Sequence, residues 1–262
     1  MGDDAGAEAS GTGRGDDGPE RLLLGGFVNS VVRVADTVRR PAPEAAEFVR
    51  DLLRYLEQRG WSGAPRYLGV DDQGREVLTF VEGHVAWEAT QPADVRSEAS
   101  LVGVAQLVRQ LHDFTAQSEL AGDEEVVCHN DLSPKNTVYR DLGGGLRPVA
   151  FIDWDIAAPG ARVHDVAHVC WQYVGLGPEV ADAADGARLV RVIAEAYGLA
   201  DRTELIETIL WWQDRCWRGI EAAADAGEPA MVRLRQLGAA REVRAAYQWT
   251  VEHRHVLERE LS

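Results

Sequence analysis

Apolar positions are spaced like strands early in the chain and like helices later. Over LLLGGFVNSVVRVADTVRRP, Val28, Val31, Val32, Val34 and Val38 surround two punctuation points. Gly25-Gly26 predicts a tight turn between two strands, Ala35-Asp36 a hairpin into a third, and Pro41 its end. Residues 43–59 predict a helix with Phe48, Leu52, Leu53 and Leu56 on one face and Gly60 as its stop. APRYLGV and REVLTFVEG predict two strands joined by the turn Asp71-Asp72-Gln73-Gly74. After Gly83 the spacing of Leu101, Val104, Leu107, Val108, Leu111 and Phe114 is helical. NTVYR and PVAFIDW predict a strand pair, and residues 183–198, 203–226 and 229–260 predict three helices. The expected class is α+β, with a small antiparallel sheet lobe over 21–82 and a larger, mainly helical lobe over 83–262. Residues 1–20 hold no large apolar side chain apart from Met1 and predict a disordered acidic tail, without the basic start or apolar stretch of a signal peptide.

Charge and cysteines narrow the partners. The formal net charge of −16 argues against general nucleic-acid binding, which needs a basic surface, and is compatible with a cationic small-molecule acceptor. No apolar run reaches the ~20 residues that span a bilayer. Cys128, Cys170 and Cys216 are too scattered for a disulfide or zinc framework and predict reduced thiols in a cytoplasmic setting. One count has chemical weight: Lys135 is the only lysine, and every other basic residue among the 27 is arginine. A mechanism that requires a lysine elsewhere is excluded.

Two segments carry chemistry: Val127-Cys128-His129-Asn130-Asp131-Leu132-Ser133-Pro134-Lys135-Asn136 and Phe151-Ile152-Asp153-Trp154-Asp155. Phosphoryl transfer needs a carboxylate beside the acceptor hydroxyl and oxygen ligands for Mg²⁺. Asp131 offers the carboxylate. Asn136 offers a neutral carbonyl oxygen, and Asp153 ends an apolar strand. A hairpin between the segments would bring Asp153 back beside Asp131 and Asn136.

His129-x-Asp131-x-x-x-x-Asn136 followed by Ile152-Asp153-Trp154 resembles the catalytic core of the aminoglycoside phosphotransferase-like enzymes, which share the two-lobed protein-kinase fold. HNDLSPKNTVYR through FIDWDIAAPG looks like the branch whose members are labelled phosphotransferase or trifolitoxin immunity protein. The resemblance implies Asp131 as catalytic base, Asn136 and Asp153 as metal ligands, and His129 as a brace for the loop. It also implies Asp165 and His112 as structural residues, Mg²⁺ with ATP (GTP not excluded) as cofactors, and a small-molecule acceptor. Backbone groups of Phe80 and Val81 would meet the nucleotide base, and Gly25-Gly26 would approach its phosphates. The family's third-strand lysine is missing here. Arg39 is the expected substitute with Arg40 as the alternative, because neighbours on a strand face opposite ways. Glu47 is the expected helix partner, with Glu44 second. The missing lysine also keeps open a nucleotide-binding pseudoenzyme, or an immunity factor that acts by binding a partner. The oligomeric state is left open.

Two further motifs compete. His164-Asp165-Val166-Ala167-His168 imitates a zinc-binding helix but has no clear third ligand. Asp153-Trp154-Asp155 imitates a phosphatase nucleophile, but no lysine follows it. Trp211, Trp212, Trp217 and Asp214 are weaker candidates for an acceptor pocket.

Overall fold

The structure is a computed structural model that describes residues 18–23, 31–88 and 90–261. Gly25, Gly26 and most of the expected acidic tail lie outside the described residues.

Five strands form the first sheet: β1 (Arg21–Leu22), β2 (Val32–Val34), β3 (Thr37–Arg40), β4 (Tyr67–Val70) and β5 (Glu76–Thr79). Their order is β1-β2-β3-β5-β4, with every pairing antiparallel. Ala35-Asp36 turns β2 into β3, with Ala35 in the left-handed region at φ 51°. Glu20, expected in the tail, is instead tied to the sheet by a 2.7 Å ion pair with Arg75.

Helix α1 (Ala46–Gln58) follows β3 and buries Val49, Leu52, Leu53 and Leu56. Burial of each such side chain contributes about 1.5–3 kcal/mol. Glu47 lies two residues before Val49, roughly 200° around the helix, so it stands on the exposed side.

The chain then leaves the sheet through β6 (His84–Val85) and enters α2 (Glu98–Thr115), where Ser97 accepts a capping bond from the Ser100 N–H. The short strands β7 (Val126–Cys128) and β10 (Ala158–Gly160) pair with each other. Strands β8 (Thr137–Asp141) and β9 (Leu146–Phe151) form a hairpin, with β6 on the outer side of β8. Helices α3 (Arg162–Val174), α4 (Ala183–Tyr197), α5 (Leu205–Asp225), α6 (Pro229–Gln236) and α7 (Ala239–Leu261) complete the second lobe. The single helix expected over 229–260 is therefore two, broken at Leu237-Gly238. Gly238 takes φ 94°, a conformation that interrupts an α-helix and that glycine adopts without steric cost.

Two contacts fix the lobes against each other. The Phe151 N–H at the end of β9 donates to the Gly63 carbonyl at 2.8 Å. Trp61, which follows α1, meets Trp154 edge-on at 6.2 Å between ring centroids. The junction also needs a residue without a side chain at position 83. A Cβ on Gly83 would lie 2.5 Å from Val138 Cγ1 and 2.6 Å from the Tyr139 carbonyl oxygen.

Candidate active site

The loop between β7 and β8 is held from behind by one aspartate. Asp165 of α3 is completely buried and accepts the backbone N–H groups of His129 at 2.7 Å and Asn130 at 2.9 Å. His112 Nε2 approaches the same carboxylate at 3.1 Å, and Nδ1 of that ring meets the Tyr197 hydroxyl at 2.8 Å. Burial pushes the Asp165 pKa up, but the His112 bond, the two histidine rings and the His129 N–H outweigh it. Its pKa ends below the usual carboxylate value. His112, Cys128 and Asp165 cluster closely enough to resemble a metal site. The contacts just described fill both His112 nitrogens and the Asp165 carboxylate, and burial holds Cys128 as a neutral thiol. The cluster is therefore a brace.

His129 joins the two chemical segments. Its Nδ1 accepts the Asp131 N–H at 3.3 Å, and its Nε2–H donates to the Ile152 carbonyl at 3.2 Å. This assignment needs a neutral ring, and burial does lower the His129 pKa. Trp154 packs on the ring at 4.4 Å. A second link runs from the Ile152 N–H to the Asn136 carbonyl at 2.9 Å. The β8–β9 hairpin thus brings Asp153 beside the loop of Asp131 and Asn136.

Asn136 Nδ2 donates to both the Asp131 carbonyl and its Oδ2, each at 2.8 Å. The amide hydrogens are spent on Asp131, so Oδ1 is the oxygen that Asn136 can offer a cation. Asp153 has φ 67° and Asn130 φ 66°, both in the left-handed region that costs a non-glycine residue energy. Asp153 keeps half of its side-chain surface exposed; desolvation of its inner side comes first in raising its pKa to about 6, and negative charge from Asp155 and Asp131 adds to it. Arg40 and Lys135 oppose the rise.

Alternation along β3 decides which arginine faces this site. Arg40 is buried and its Nη1 lies 3.6 Å from Asp153 Oδ1 and 2.5 Å from Asp155 Oδ1, while its Nη2 lies 3.4 Å from Glu76 Oε2. Arg39 points to the opposite face and pairs with Asp71 at 3.7 Å. The expected substitute Arg39 is therefore turned away from Asp153, and the alternative Arg40 faces it. Glu47 is exposed, and Glu76 of β5 supplies the carboxylate beside Arg40. Val38 and Arg40 share a face, and the apolar character of Val38 was the sequence signal for choosing Arg40.

The Phe80 N–H donates to the Asp36 carbonyl at 2.8 Å, so it is not open to a nucleotide base. The Arg33 guanidinium lies 3.7 Å above the Phe80 ring. Phe80 and Val81 line a cavity of about 550 Å³ with Trp61, Arg66, Gln110 and Pro148. Asp131, Asn136, Asp153 and Arg40 do not line this cavity, which lies against α2 and β9.

At the far end of the β7–β8 loop, Trp87 donates its indole N–H to the Lys135 carbonyl at 2.8 Å. Cys216 of α5 lies close enough to Asp131 and Lys135 to feel both charges, and burial first raises its pKa to about 11. The other α5 candidates separate. Trp212 donates to the His164 carbonyl at 2.8 Å, Asp214 pairs with Arg218 at 2.8 Å, and Trp211 remains partly exposed. His164 stacks on Trp211 while the buried His168 Nδ1 meets the Leu132 carbonyl at 2.8 Å, so the pair is not arranged around a common ligand.

Comparison with known proteins gives the family and the fold. Residues 117–207 match the phosphotransferase enzyme family. The trifolitoxin immunity protein of Rhizobium leguminosarum bv. trifolii is 32% identical over 208 residues, which cover 69% of this chain and 75% of that protein. Among solved structures, the GDP complex of aminoglycoside 2'-phosphotransferase-IIIa is similar with a TM-score of 0.56 at 14% identity, covering 93% of this chain and 92% of that one. A choline/ethanolamine kinase family protein from Mesorhizobium loti gives a TM-score of 0.55 at 17% identity, covering 95% and 92%. The chain belongs to the aminoglycoside phosphotransferase-like family, in the branch that includes the trifolitoxin immunity protein, and has its two-lobed protein-kinase-like fold.

Proposed function

We propose that the protein transfers the γ-phosphate of a nucleoside triphosphate to a hydroxyl of a small molecule, with Mg²⁺ as cofactor. The observation that carries this reading is the convergence of Asp131, Asn136, Asp153 and Arg40 on one place between the lobes. Asp153 and Asn136 offer hard oxygen donors, which suit Mg²⁺. A bound Mg²⁺ would neutralise charge on the phosphate oxygens. Arg40 supplies the fixed positive charge for the same phosphates. Asp131, held by Asn136 Nδ2, orients the acceptor hydroxyl and takes its proton. The new bond joins the acceptor oxygen to phosphorus, the bond to the nucleoside diphosphate breaks, and the proton goes to the Asp131 carboxylate. Relatives of similar fold have been solved with GDP, and with ADP and streptomycin, which supports a nucleotide donor and leaves ATP and GTP both in play.

On this reading the acceptor enters beside Asp131, near Cys216 and Lys135, whose carbonyl holds Trp87. One observation favours a second reading. Arg40 pairs with Asp153, the candidate metal ligand, as it would in a protein that binds nucleotide or a partner without turnover. Incubation with ATP or GTP, Mg²⁺ and a panel of hydroxyl acceptors separates the two. The phosphotransferase reading predicts an acceptor heavier by one phosphoryl group, and its loss in Asp131→Ala. Nucleotide binding without any phosphorylated product across the panel supports the second reading.

A further inference from the structure

The kinase-like arrangement draws the carboxylate that steadies the strand cation from the inserted helix. Here the described residues place it elsewhere. Arg40 and Glu76 are direct cross-strand partners between β3 and β5, and their side chains share one face of the sheet. Glu76 Oε2 lies 3.4 Å from Nη2, and Asp155 Oδ1 lies 2.5 Å from Nη1. Arg40 and Glu76 keep only 8% and 4% of their side-chain surface, against 27% for Asp155. Helix α1 contributes the opposite charge, because Arg50 acts on Glu76 as a cation. Its acidic residue Glu47 is exposed.

We propose that Glu76 and Asp155 are positioning residues that hold Arg40 toward the nucleotide phosphates, in place of a glutamate from α1. This rests on the nucleotide-dependent reading given above. An arginine fork can engage two carboxylates at once, whereas a lysine ammonium is a single point of charge. Glu76 fixes one arm from the sheet, and Asp155 fixes the other from the loop that also carries Asp153. The grip keeps a donor in reserve: Glu76 and Asp155 engage the two Nη atoms, and Arg40 Nε is buried without a hydrogen-bond partner. Buried polar atoms in that state are unusual and indicate a missing partner. Phosphate oxygens supply acceptors for the Arg40 donors. The same binding event frees Asp153, 3.6 Å away, for its own ligand. Asp155 is thus a hold on Arg40 that survives when Asp153 lets go.

Equilibrium titration with a fluorescent ATP analogue and Mg²⁺ tests this in the full chain, alongside steady-state kinetics. Glu76→Gln and Asp155→Asn should each weaken nucleotide affinity about tenfold. The loss should appear in nucleotide KM more than in kcat. Both effects should shrink to less than about twofold in an Arg40→Ala background, because positioning residues act through the group they position. Asp155→Asn, on the more open side of the cluster, keeps the test readable if Glu76→Gln fails to fold. Unchanged affinity in Asp155→Asn, undiminished losses without Arg40, or a loss confined to Glu47→Gln would each overturn the inference. A wild-type protein that binds no nucleotide would instead overturn the phosphotransferase reading beneath it.

Discussion

Arg40 Nη1 lies 3.6 Å from Asp153 Oδ1, so the cation of the first sheet and the candidate metal ligand of the second lobe are in contact between the lobes. Arg39, one residue earlier, faces Asp71 instead. Arg40→Ala is therefore expected to weaken nucleotide binding by about tenfold or more, the scale of a charge-assisted contact. Arg39→Ala should stay within about twofold. Nucleotide titration of the two variants checks the assignment, and the reverse ranking would return the role to Arg39.

Asp165 is the hidden support of the loop between β7 and β8. It accepts two backbone N–H groups and pairs with His112, all out of contact with water. Asp165→Ala leaves those donors unpaired and should cost about 3–5 kcal/mol of stability. Denaturant unfolding measures this directly; a loss of under 1 kcal/mol would show that the network is not holding the loop.

Burial lowers the pKa of His168 below its ordinary value of 6.5, and its Nδ1–H donates to the Leu132 carbonyl. As pH falls, the unfolded chain takes up this proton first. The stability that depends on a neutral His168 is therefore complete above 6.5 and is lost as the pH falls from there toward the lowered folded value. Between about pH 7.5 and about 5.5, Tm should fall less in His168→Asn than in the wild type. Equal slopes in the two proteins would remove His168 from the acid response.

Gly83 sits where the first lobe passes into the second, with φ 152° and with Val138 and the Tyr139 carbonyl of β8 in the space a Cβ would take. Gly83→Ala should destabilise the protein by about 1–3 kcal/mol, because the left-handed backbone and the close contact both penalise a Cβ. Calorimetric or denaturant unfolding of the variant checks this, and a neutral substitution would mean that the junction relaxes freely.

Much of the candidate site was legible in the sequence because it is local. Asp131 and Asn136 lie in one loop, and Asp153 is returned to them by a hairpin of two adjacent strands. What was hard to read depended on direction. Arg39 and Arg40 differ by half a strand period, and only the face shared with Val38 separates them. Glu47 had the expected charge on the expected helix, yet it lies opposite the face formed by Val49, Leu52, Leu53 and Leu56. Glu76 gave no signal of its own, because a carboxylate at a strand start reads as solvent-facing until its cross-strand neighbour is known. Asp155 was visible only as half of a phosphatase-like pair. In the fold, Gly238 was the break between α6 and α7, but the apolar stripe continued past it and masked the stop.

In the proposed reaction this site moves a phosphoryl group, and Asp131 prepares the acceptor. Phosphorus NMR of ATP or GTP with Mg²⁺, an acceptor and the protein tests it most directly. The expected result is loss of the γ-phosphate signal with growth of a phosphate-ester signal, slowed by about 10²–10⁴-fold in Asp131→Asn. Equal rates for wild type and Asp131→Asn, or no phosphate ester with any hydroxyl acceptor, would contradict it.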